Sequence, residues 1–329
     1  MSRDLRALPK AHLHLHLEGG MRPSTMHELL DAAGLPPPRE ADGNFDTFIS
    51  IYRHACEGLR SPADLARLVH EVVEDAANDG AVWIEPSEWI TPTMAARAGL
   101  ADEEAVLRVV LEALQEAARD TGIGAGLMVS TNRLRPPAEA AALARLAARY
   151  AGKGVVSFGL ADNDATGPPE PFADAFAIAR AAGLIAAPHG GELGGPQRVR
   201  GALDALGAQR IQHGVRAVED PQLLERLAAE QVCLDVCPTS NVQLRVVPSI
   251  EQHPLPTLLH AGIPVSLNAD DPLVFGSGVL QEYELARQAF DLSDETLAHI
   301  AACSIRASGA PHELKRTALA GVESWLGSA

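Results

Sequence analysis

The stretch "KAHLHLHLEGG", residues 10–20, alternates histidine with apolar residues and ends in a glutamate and two glycines. Strict alternation predicts a β-strand, and residues two apart on a strand point to the same face. His12, His14 and His16 should therefore project from one side, with Glu18 as the fourth member of the row. Two imidazoles at this spacing can reach a single metal ion, so the strand is a candidate metal-binding element.

Short apolar runs recur along the chain and are separated by segments of helical periodicity. Seven of them follow the first, at 81–89, 124–132, 155–164, 183–192, 210–215, 232–241 and 264–272. Between them, apolar residues recur at spacings of three and four, which predicts amphipathic helices. Eight strands that alternate with helices predict the α/β class and a (β/α)8 TIM barrel.

The chain is expected to form a single barrel domain over residues 1–329, with two additions. The segment at about 20–80 is longer than most loops between a strand and a helix, so it predicts extra helices after the first strand. Residues 281–327 also have a helical pattern, which predicts further helices at the carboxyl-terminal end.

Charge and composition restrict the partners that this chain is expected to have. It carries 27 basic and 43 acidic residues, a net charge of −16 with histidine neutral. An acidic surface disfavours nucleic acids and anionic membranes, and no apolar run reaches membrane-spanning length. The four cysteines lack disulfide-framework spacing, which indicates reduced thiols. With the charged amino terminus, these features predict a cytoplasmic protein acting on a small molecule; the sequence does not indicate an oligomeric state.

Polar residues of catalytic types follow several of the predicted strands. In a barrel of this kind the active site lies where the carboxyl ends of the strands meet. The residues expected to collect there are His14, His16, Glu18, His189, Glu192, His213, Asp270 and Asp271. Three imidazoles and one carboxylate form a ligand set that suits zinc with an open position for water.

Five motifs occur along the chain: "LPKAHLHLHLEG" (8–19), "PHGGE" (188–192), "RIQHG" (210–214), "CPTSN" (237–241) and "SLNADDP" (266–272). Their sequences and order resemble the adenosine deaminase family of metal-dependent hydrolases over essentially the whole chain. The resemblance implies zinc-dependent hydrolytic deamination of an adenine-type purine, within purine and nucleotide metabolism. Adenosine or deoxyadenosine, converted to inosine or deoxyinosine and ammonia, is the expected substrate. The alternatives are adenine and a 5′-substituted adenine nucleoside such as 6-aminodeoxyfutalosine.

The resemblance also assigns the metal ligands. One Zn²⁺ per subunit is expected to be held by His14, His16, His189 and Asp270. Bound zinc lowers the pKa of water toward ~7 and so supplies the attacking hydroxide. A metal at the barrel mouth reaches only two successive members of the row, because two residues along a strand span about 6.6 Å. His12 is therefore expected to be a buried, hydrogen-bonded residue beneath the metal.

By the same resemblance, Glu192 donates a proton to purine N1, which requires that burial raise its pKa. His213 orients the hydroxide and stabilises the developing charge, and Asp270 accepts a hydrogen bond from the attacking water. Asp271 contacts purine N7, which requires a local bend after the last strand. Gly191 is a further candidate for substrate binding.

Three positions depart from the family pattern. Asp162 stands where relatives carry a glycine whose backbone N–H contacts purine N3, so its side chain either enters the pocket or turns away from it. Glu18 stands where adenosine-specific members carry an aspartate at the ribose 5′-hydroxyl. Residues 86–89, "PSEW", replace the usual segment after the second strand. These differences bear on ribose recognition and leave the zinc chemistry unchanged.

In this family a helical segment after the first strand covers the entrance, and "NFDTFISIYRHACEGL" (44–59) fits that role as a lid. The candidate pocket-wall residues are Phe45, Phe48, Ile51, Tyr52 and Trp89. The alternative interpretation is that this apolar stripe only packs against the barrel.

Sequence features argue against three other functions. A cytidine-deaminase site needs H-x-E and P-C-x-x-C, and neither motif occurs. A dinuclear amidohydrolase would need a lysine on the fourth strand, and the run at 155–164 has none. A zinc-binding barrel without catalysis would be expected to lack one of the six residues assigned to metal binding or catalysis. All six are present: His14, His16, His189, Glu192, His213 and Asp270.

Overall fold

Ten short strands form the centre of the structure, a computed structural model that describes residues 3–327. They are β1 (Lys10–His16), β2 (Ala81–Glu88), β3 (Gly124–Ala125), β4 (Leu127–Asn132), β5 (Val155–Ala161), β6 (Ile185–Ala186), β7 (His189–Gly190), β8 (Arg210–His213), β9 (Cys233–Val236) and β10 (Val265–Leu267). Every pairing between them is parallel. They occupy eight barrel positions. Strands β3 and β4 follow one another along the chain and both pair with β2, so together they fill one position. Strands β6 and β7 belong to one segment and fill another.

The barrel closes where the two sheets of strands, β1-β2-β4-β5-β6 and β10-β9-β8-β7, meet. On one side the segment 185–190 pairs with β5 at its start and with β8 at its end. On the other side Leu15 bridges Asp270: the N–H of His16 donates to the Asp270 carbonyl at 3.0 Å, and the N–H of Asp270 donates to the His14 carbonyl at 3.1 Å. The predicted (β/α)8 barrel is confirmed.

The fifth barrel strand differs from the prediction of one continuous run at 183–192. It is interrupted between β6 and β7 at Ala187 and Pro188. Proline has no N–H to donate and interrupts a ladder of backbone hydrogen bonds. The carbonyl of Pro188 still accepts the N–H of Gln212 at 3.0 Å, and the N–H of Ala187 donates to Phe158 at 2.9 Å. His189 therefore begins its own short strand at the barrel mouth.

Fifteen α-helices surround the strands within the described residues. They are α1 (Pro23–Ala32), α2 (Phe45–Cys56), α3 (Pro62–Asn78), α4 (Pro92–Arg97), α5 (Glu103–Thr121), α6 (Pro137–Arg149), α7 (Ala173–Ala181), α8 (Pro196–Gly201), α9 (Pro221–Glu230), α10 (Pro238–Gln243), α11 (Leu255–His260), α12 (Pro272–Phe275), α13 (Val279–Phe290), α14 (Asp294–Ala307) and α15 (His312–Gly327). At the start of α9 the Asp220 side chain accepts the N–H of Leu223 and Pro221 occupies the first helical position, two features typical of a helix N-terminus. None of the described helices combines the length and apolarity needed to cross a bilayer.

The segment after the first strand contains α1, α2 and α3. Of these, α3 packs on β2 and on α5, so it takes the place of the helix that joins the first two barrel strands. At the other end of the chain, α14 packs on β1, β9 and β10, and α15 lies against α14. Helices α1 and α2 are additions that follow the first strand, and α2 contacts the short helical turn Glu18–Gly20; α13, α14 and α15 follow the last strand, as predicted.

The barrel interior beneath the mouth contains a buried group of charges. The Arg210 guanidinium is fully buried and lies 2.7 Å from Glu85 and 2.7 Å from Asp235. Asp235 also accepts a hydrogen bond from Ser266 at 2.6 Å. A buried charge is tolerated when it is paired and hydrogen-bonded in this way. This network fixes β9 directly below the residues of the site.

Candidate active site

Three imidazoles and one carboxylate converge at the carboxyl ends of β1, β7 and β10. The Nε2 atom of His14 lies 3.2 Å from His189 Nε2 and 3.2 Å from Asp270 Oδ1, and His16 Nε2 lies 3.5 Å from the same oxygen. One ligand atom of each residue lies within 4.8 Å of all the others. The structure therefore brings together the four residues that the sequence proposed as metal ligands.

These separations fit a zinc ion. Bonds of about 2.0–2.1 Å to the corners of a tetrahedron place neighbouring ligand atoms about 3.3 Å apart. Burial lowers the pKa of His16 to about 4 and lowers the pKa of His189 well below its usual value, so both rings are neutral and offer a lone pair. Imidazole nitrogens and a carboxylate oxygen are also donors that zinc accepts, and a water would then be a fifth ligand.

The ligand side chains are oriented by neighbours behind them. The Nδ1–H of His14 donates to the Asp235 carbonyl at 3.0 Å, which leaves Nε2 free to face the other ligands. The Ser240 hydroxyl donates to Asp270 Oδ2 at 2.6 Å. Ser240 was not predicted from the sequence as a site residue, although its place in the "CPTSN" motif could have indicated it.

The backbone bends between the last strand and its helix, as the assignment of Asp271 requires. Asp270 has φ of 62°, a left-handed conformation that directs consecutive side chains into the same site. Both carboxyl oxygens of Asp271 are buried and have no hydrogen-bond partner among the described residues. Burial raises the pKa of Asp271 well above its usual value, so it can donate a hydrogen bond. Gly19 leaves room for it, because a Cβ there would collide with the Asp271 carboxyl.

Glu192 is a buried carboxyl whose loop is held from behind. Burial and the neighbouring Asp270 raise the pKa of Glu192 well above its usual value, which keeps the carboxyl protonated. The Asp164 carboxylate accepts the backbone N–H groups of Gly191 at 2.7 Å, Glu192 at 3.2 Å and Gly194 at 2.6 Å. The N–H of Gly191 is thus already bonded within the protein. Asp164 was not predicted from the sequence, although it lies two residues after Asp162 in the stretch "LADND" (160–164).

His213 faces the acid and the carboxylate ligand. Its Nε2 lies 3.5 Å from Glu192 Oε1 and 3.9 Å from Asp270 Oδ2. Burial lowers the pKa of His213 to about 3, so the ring is neutral at pH 7. A neutral imidazole beside a carboxyl of raised pKa and three candidate metal-ligating histidines is an arrangement suited to metal-assisted hydrolysis.

Comparison with known proteins fits this chemistry. The sequence model of the family described as "Adenosine deaminase" matches residues 9–325. This chain belongs to the adenosine deaminase family. It is 46% identical to a protein of Streptomyces virginiae named "Putative adenosine/adenine deaminase", over 99% of this chain and 98% of that protein. It is 38% identical to an adenine deaminase of Chelativorans sp., over 92% of this chain and 94% of that protein.

Solved structures agree with the family assignment. An adenine deaminase from Arthrobacter aurescens superposes with a TM-score of 0.89 at 32% identity, over 97% of this chain and 99% of that one. An amidohydrolase from Burkholderia ambifaria with bound Zn superposes with a TM-score of 0.85 at 27% identity, over 98% and 94%. The chain is thus a deaminase of the adenine/adenosine class, in a family of metal-dependent hydrolases.

The deaminase site opens into a cavity of about 90 Å³ beneath α2. Four of the five candidate wall residues line it: Phe45, Phe48, Tyr52 and Trp89. Ile51 is not among the lining residues of this cavity, whereas Ile49 is. On a helix, positions two apart face different directions, so the exact packing of α2 decides which isoleucine faces the site. Stacking of Phe48 on Phe275, with ring centroids 5.3 Å apart, fixes that packing.

Glu18 is bound to α2 by a short hydrogen bond. The hydroxyl of Tyr52 donates to Glu18 Oε2 at 2.6 Å, and the Glu18 side chain is buried. Glu88, at the end of β2, lies beside it, and burial together with the Glu18 charge raises the pKa of Glu88 well above its usual value. The deaminase therefore has a phenol bonded to Glu18 and a second buried carboxyl, Glu88, beside it, at the position where the departure from the family pattern bears on ribose recognition.

Asp162 points into the deaminase cavity. Its φ is 77°, a left-handed conformation that glycine adopts freely and aspartate tolerates. The side chain lines the cavity, and its Oδ2 accepts a hydrogen bond from the Asn132 amide at 2.7 Å. Of the two possibilities left by the sequence, the structure has the side chain inside the pocket, held by Asn132.

His12 lies beneath the metal ligands, as expected from its place in the row. It is buried, and its Nε2 accepts the backbone N–H of Ala269 at 3.2 Å. Burial lowers the pKa of His12 to about 3, so the ring is neutral and can accept this bond. His12 thus supports the backbone that carries Asp270.

Glu282 on α13 is a buried acid beside this deaminase site, and it predicts a pH dependence of stability. Its carboxylate accepts the N–H of Thr239 at 3.1 Å, while burial raises the pKa of Glu282 from 4.5 to about 7. The folded protein therefore binds this proton more tightly than the unfolded chain does. The free energy of unfolding should fall by up to ~3 kcal/mol as the pH rises from about 4.5 to 7.

Glu282→Gln should remove this part of the pH dependence. The measurement is denaturant unfolding of both proteins at the two ends of the pH range. The exposed Glu284→Gln on the same helix serves as the matched control. An unchanged pH dependence in Glu282→Gln would show that the carboxyl is not protonated in the folded state.

Proposed function

We propose that this chain is a zinc-dependent deaminase that hydrolyses adenine to hypoxanthine and ammonia, with one Zn²⁺ per subunit and in the cytoplasm. The state of Glu18 carries the choice of substrate. Its side chain is buried and its Oε2 already accepts the Tyr52 hydroxyl at 2.6 Å, so part of its capacity to accept a ribose hydroxyl is used within the protein. A free base needs no such acceptor. The adenine deaminases among the relatives and solved structures support the same substrate.

His14, His16, His189 and Asp270 would hold the zinc ion. When bound, it supplies an activated water by lowering its pKa toward ~7. The purine ring would lie in the cavity, with the protonated carboxyl of Glu192 directed at N1. Asp271 would donate to N7, which accounts for a buried carboxyl without a partner among the described residues.

The proton on Glu192 is the central element of this mechanism. Transfer to N1 withdraws electrons from the ring carbon that carries the amino group, so that carbon accepts the attacking oxygen. The Nε2–H of His213 would stabilise the charge that develops on that oxygen. Phe45, Phe48 and Trp89 limit the entry of bulk water, which strengthens each of these hydrogen bonds.

The proposal predicts the order of activity in a panel of aminopurines. Adenine should exceed adenosine, deoxyadenosine and 5′-substituted adenosines in kcat/KM by at least about tenfold, because a ribose hydroxyl buried without a full partner loses its hydrogen bonds to water, which costs about 1–3 kcal/mol. The measurement is release of ammonia from each compound by the zinc-loaded enzyme. Equal or better turnover of a nucleoside would overturn the choice of adenine.

The second candidate is the nucleoside activity that the sequence analysis placed first. A larger cleft of about 880 Å³ adjoins the cavity and shares Tyr52, Arg53 and Trp89 with it, so a substituent on N9 has a space to enter. Tyr52→Phe tests this, since it frees the Glu18 carboxylate for a hydroxyl. If nucleosides bind there, this variant should raise kcat/KM for adenosine relative to adenine.

The matched control for Tyr52→Phe is Thr25→Val. The Thr25 hydroxyl also donates to a glutamate, Glu71, at 2.6 Å, but neither residue lines the catalytic cavity or the larger cleft. The control should leave the ratio of the two activities unchanged. An unchanged ratio in Tyr52→Phe as well would exclude Glu18 as the group that decides between base and nucleoside.

A further inference from the structure

A line of buried hydrogen bonds runs from a backbone amide to the ring of His213. The N–H of Leu255, at the start of α11, donates to His253 Nδ1 at 3.1 Å. His253 Nε2 lies 3.1 Å from Asn241 Oδ1, and Asn241 Nδ2 lies 3.2 Å from His213 Nδ1. All three side chains are buried. The sequence analysis missed His253, which lies in no recognisable motif.

The direction of every bond in this line follows from its first donor. A backbone N–H can only donate, so His253 Nδ1 must be an acceptor. Burial lowers the pKa of His253 to about 4, so the neutral ring carries its single proton on Nε2. That proton requires an oxygen from Asn241, and the Asn241 amide must then present its NH₂ to His213. His213 Nδ1 is therefore an acceptor, and its proton is on Nε2.

We propose that His253 and Asn241 are positioning residues that hold His213 in the Nε2–H tautomer. His213 then meets the reacting atoms as a hydrogen-bond donor and not as a base. The inference rests on the proposed deamination for its effect on rate, whereas the tautomer itself follows from the hydrogen bonds alone.

The orientation of His213 explains why the tautomer matters. Its Nε2 faces Glu192 Oε1 at 3.5 Å and Asp270 Oδ2 at 3.9 Å, across the space where the attacking oxygen would lie. A donor there stabilises the negative charge that develops on oxygen. The Nδ1–H tautomer would place a lone pair at the same position and repel that charge.

The first test reads the tautomer without turnover. Long-range ¹H–¹⁵N correlation spectra of the zinc-loaded, ¹⁵N-histidine-labelled protein distinguish protonated from unprotonated ring nitrogens, and His213→Gln identifies the signals of His213. We expect a proton on Nε2 of both His213 and His253. A proton on Nδ1 of His213 would overturn the proposal. If the wild-type protein deaminates no aminopurine but shows Nε2–H, the proposed function fails and the tautomer stands.

The second test breaks the line of hydrogen bonds from Leu255 to His213 at His253 and then restores it. His253→Phe, which cannot donate, should lower kcat about 10- to 100-fold with KM and zinc content unchanged. His253→Gln should recover most of that loss, because its amide can accept from Leu255 and donate to Asn241. The exposed His260→Gln on α11 is the control and should match wild type.

Asn241→Asp keeps an acceptor for the His253 hydrogen bond and reverses the direction of the hydrogen bond to His213. A carboxylate only accepts, so it should shift the His213 proton to Nδ1 and lower kcat at least about 100-fold. This variant also decides the outcome if His253→Phe does not fold. Full kcat in Asn241→Asp, or loss of kcat with the proton still on Nε2, would refute the positioning role.

Discussion

Glu192→Gln is expected to retain zinc and to lose most of the catalytic activity, with kcat falling by about 10²- to 10⁴-fold. The glutamine keeps the size of the side chain and a hydrogen-bond donor toward purine N1. It has no proton to transfer, so the ring is not activated for attack by the oxygen. Burial and Asp270 raise the pKa of the Glu192 carboxyl well above its usual value, which favours the protonated form that the proposed mechanism needs.

The measurement pairs steady-state kinetics on adenine with zinc analysis of the same samples. Glu225→Gln, at an exposed position on α9, is the matched control and should behave as wild type. Full activity of Glu192→Gln would remove Glu192 as the acid. Loss of zinc from Glu192→Gln would instead mean that the carboxyl supports the metal site.

His14→Ala is expected to abolish zinc binding and, with it, all measurable deamination. His14 lies at the centre of the ligand group, 3.2 Å from both His189 and Asp270, and its ring is fixed by the Asp235 carbonyl. Without it, two imidazoles and one carboxylate remain, spread around an empty volume in the barrel mouth. Metal content by mass spectrometry after dialysis against a weak chelator measures the effect.

His12→Ala provides the contrast, since it removes an imidazole from the same strand. His12 accepts one backbone hydrogen bond from Ala269 and fills buried space, so its loss should cost about 1–3 kcal/mol of unfolding free energy. Zinc should be retained, with activity lowered modestly. Equal loss of zinc from His12→Ala and His14→Ala would mean that the metal lies deeper in the barrel, between His12 and His14.

The sequence by itself determined the barrel and the group of residues at its mouth. Alternation in β1 fixed which histidines share a face, and eight apolar runs separated by helical patterns fixed the fold. Parallel strands end at the same edge, so His14, His189 and Asp270 had to meet although 175 positions separate the first two. Local periodicity and fold topology were sufficient, because each ligand lies in or just after a strand segment at the same edge of the barrel.

Only the tertiary structure decided how these residues are held and what the pocket recognises. The bond between Tyr52 and Glu18, the Asp164 carboxylate behind Glu192 and the link from His253 to Asn241 join loops and helices that follow no repeating pattern. Their geometry depends on the exact position of each loop and on the rotation of α2. A hydrogen bond forms or fails over a few tenths of an ångström, and periodicity does not specify distances at that scale.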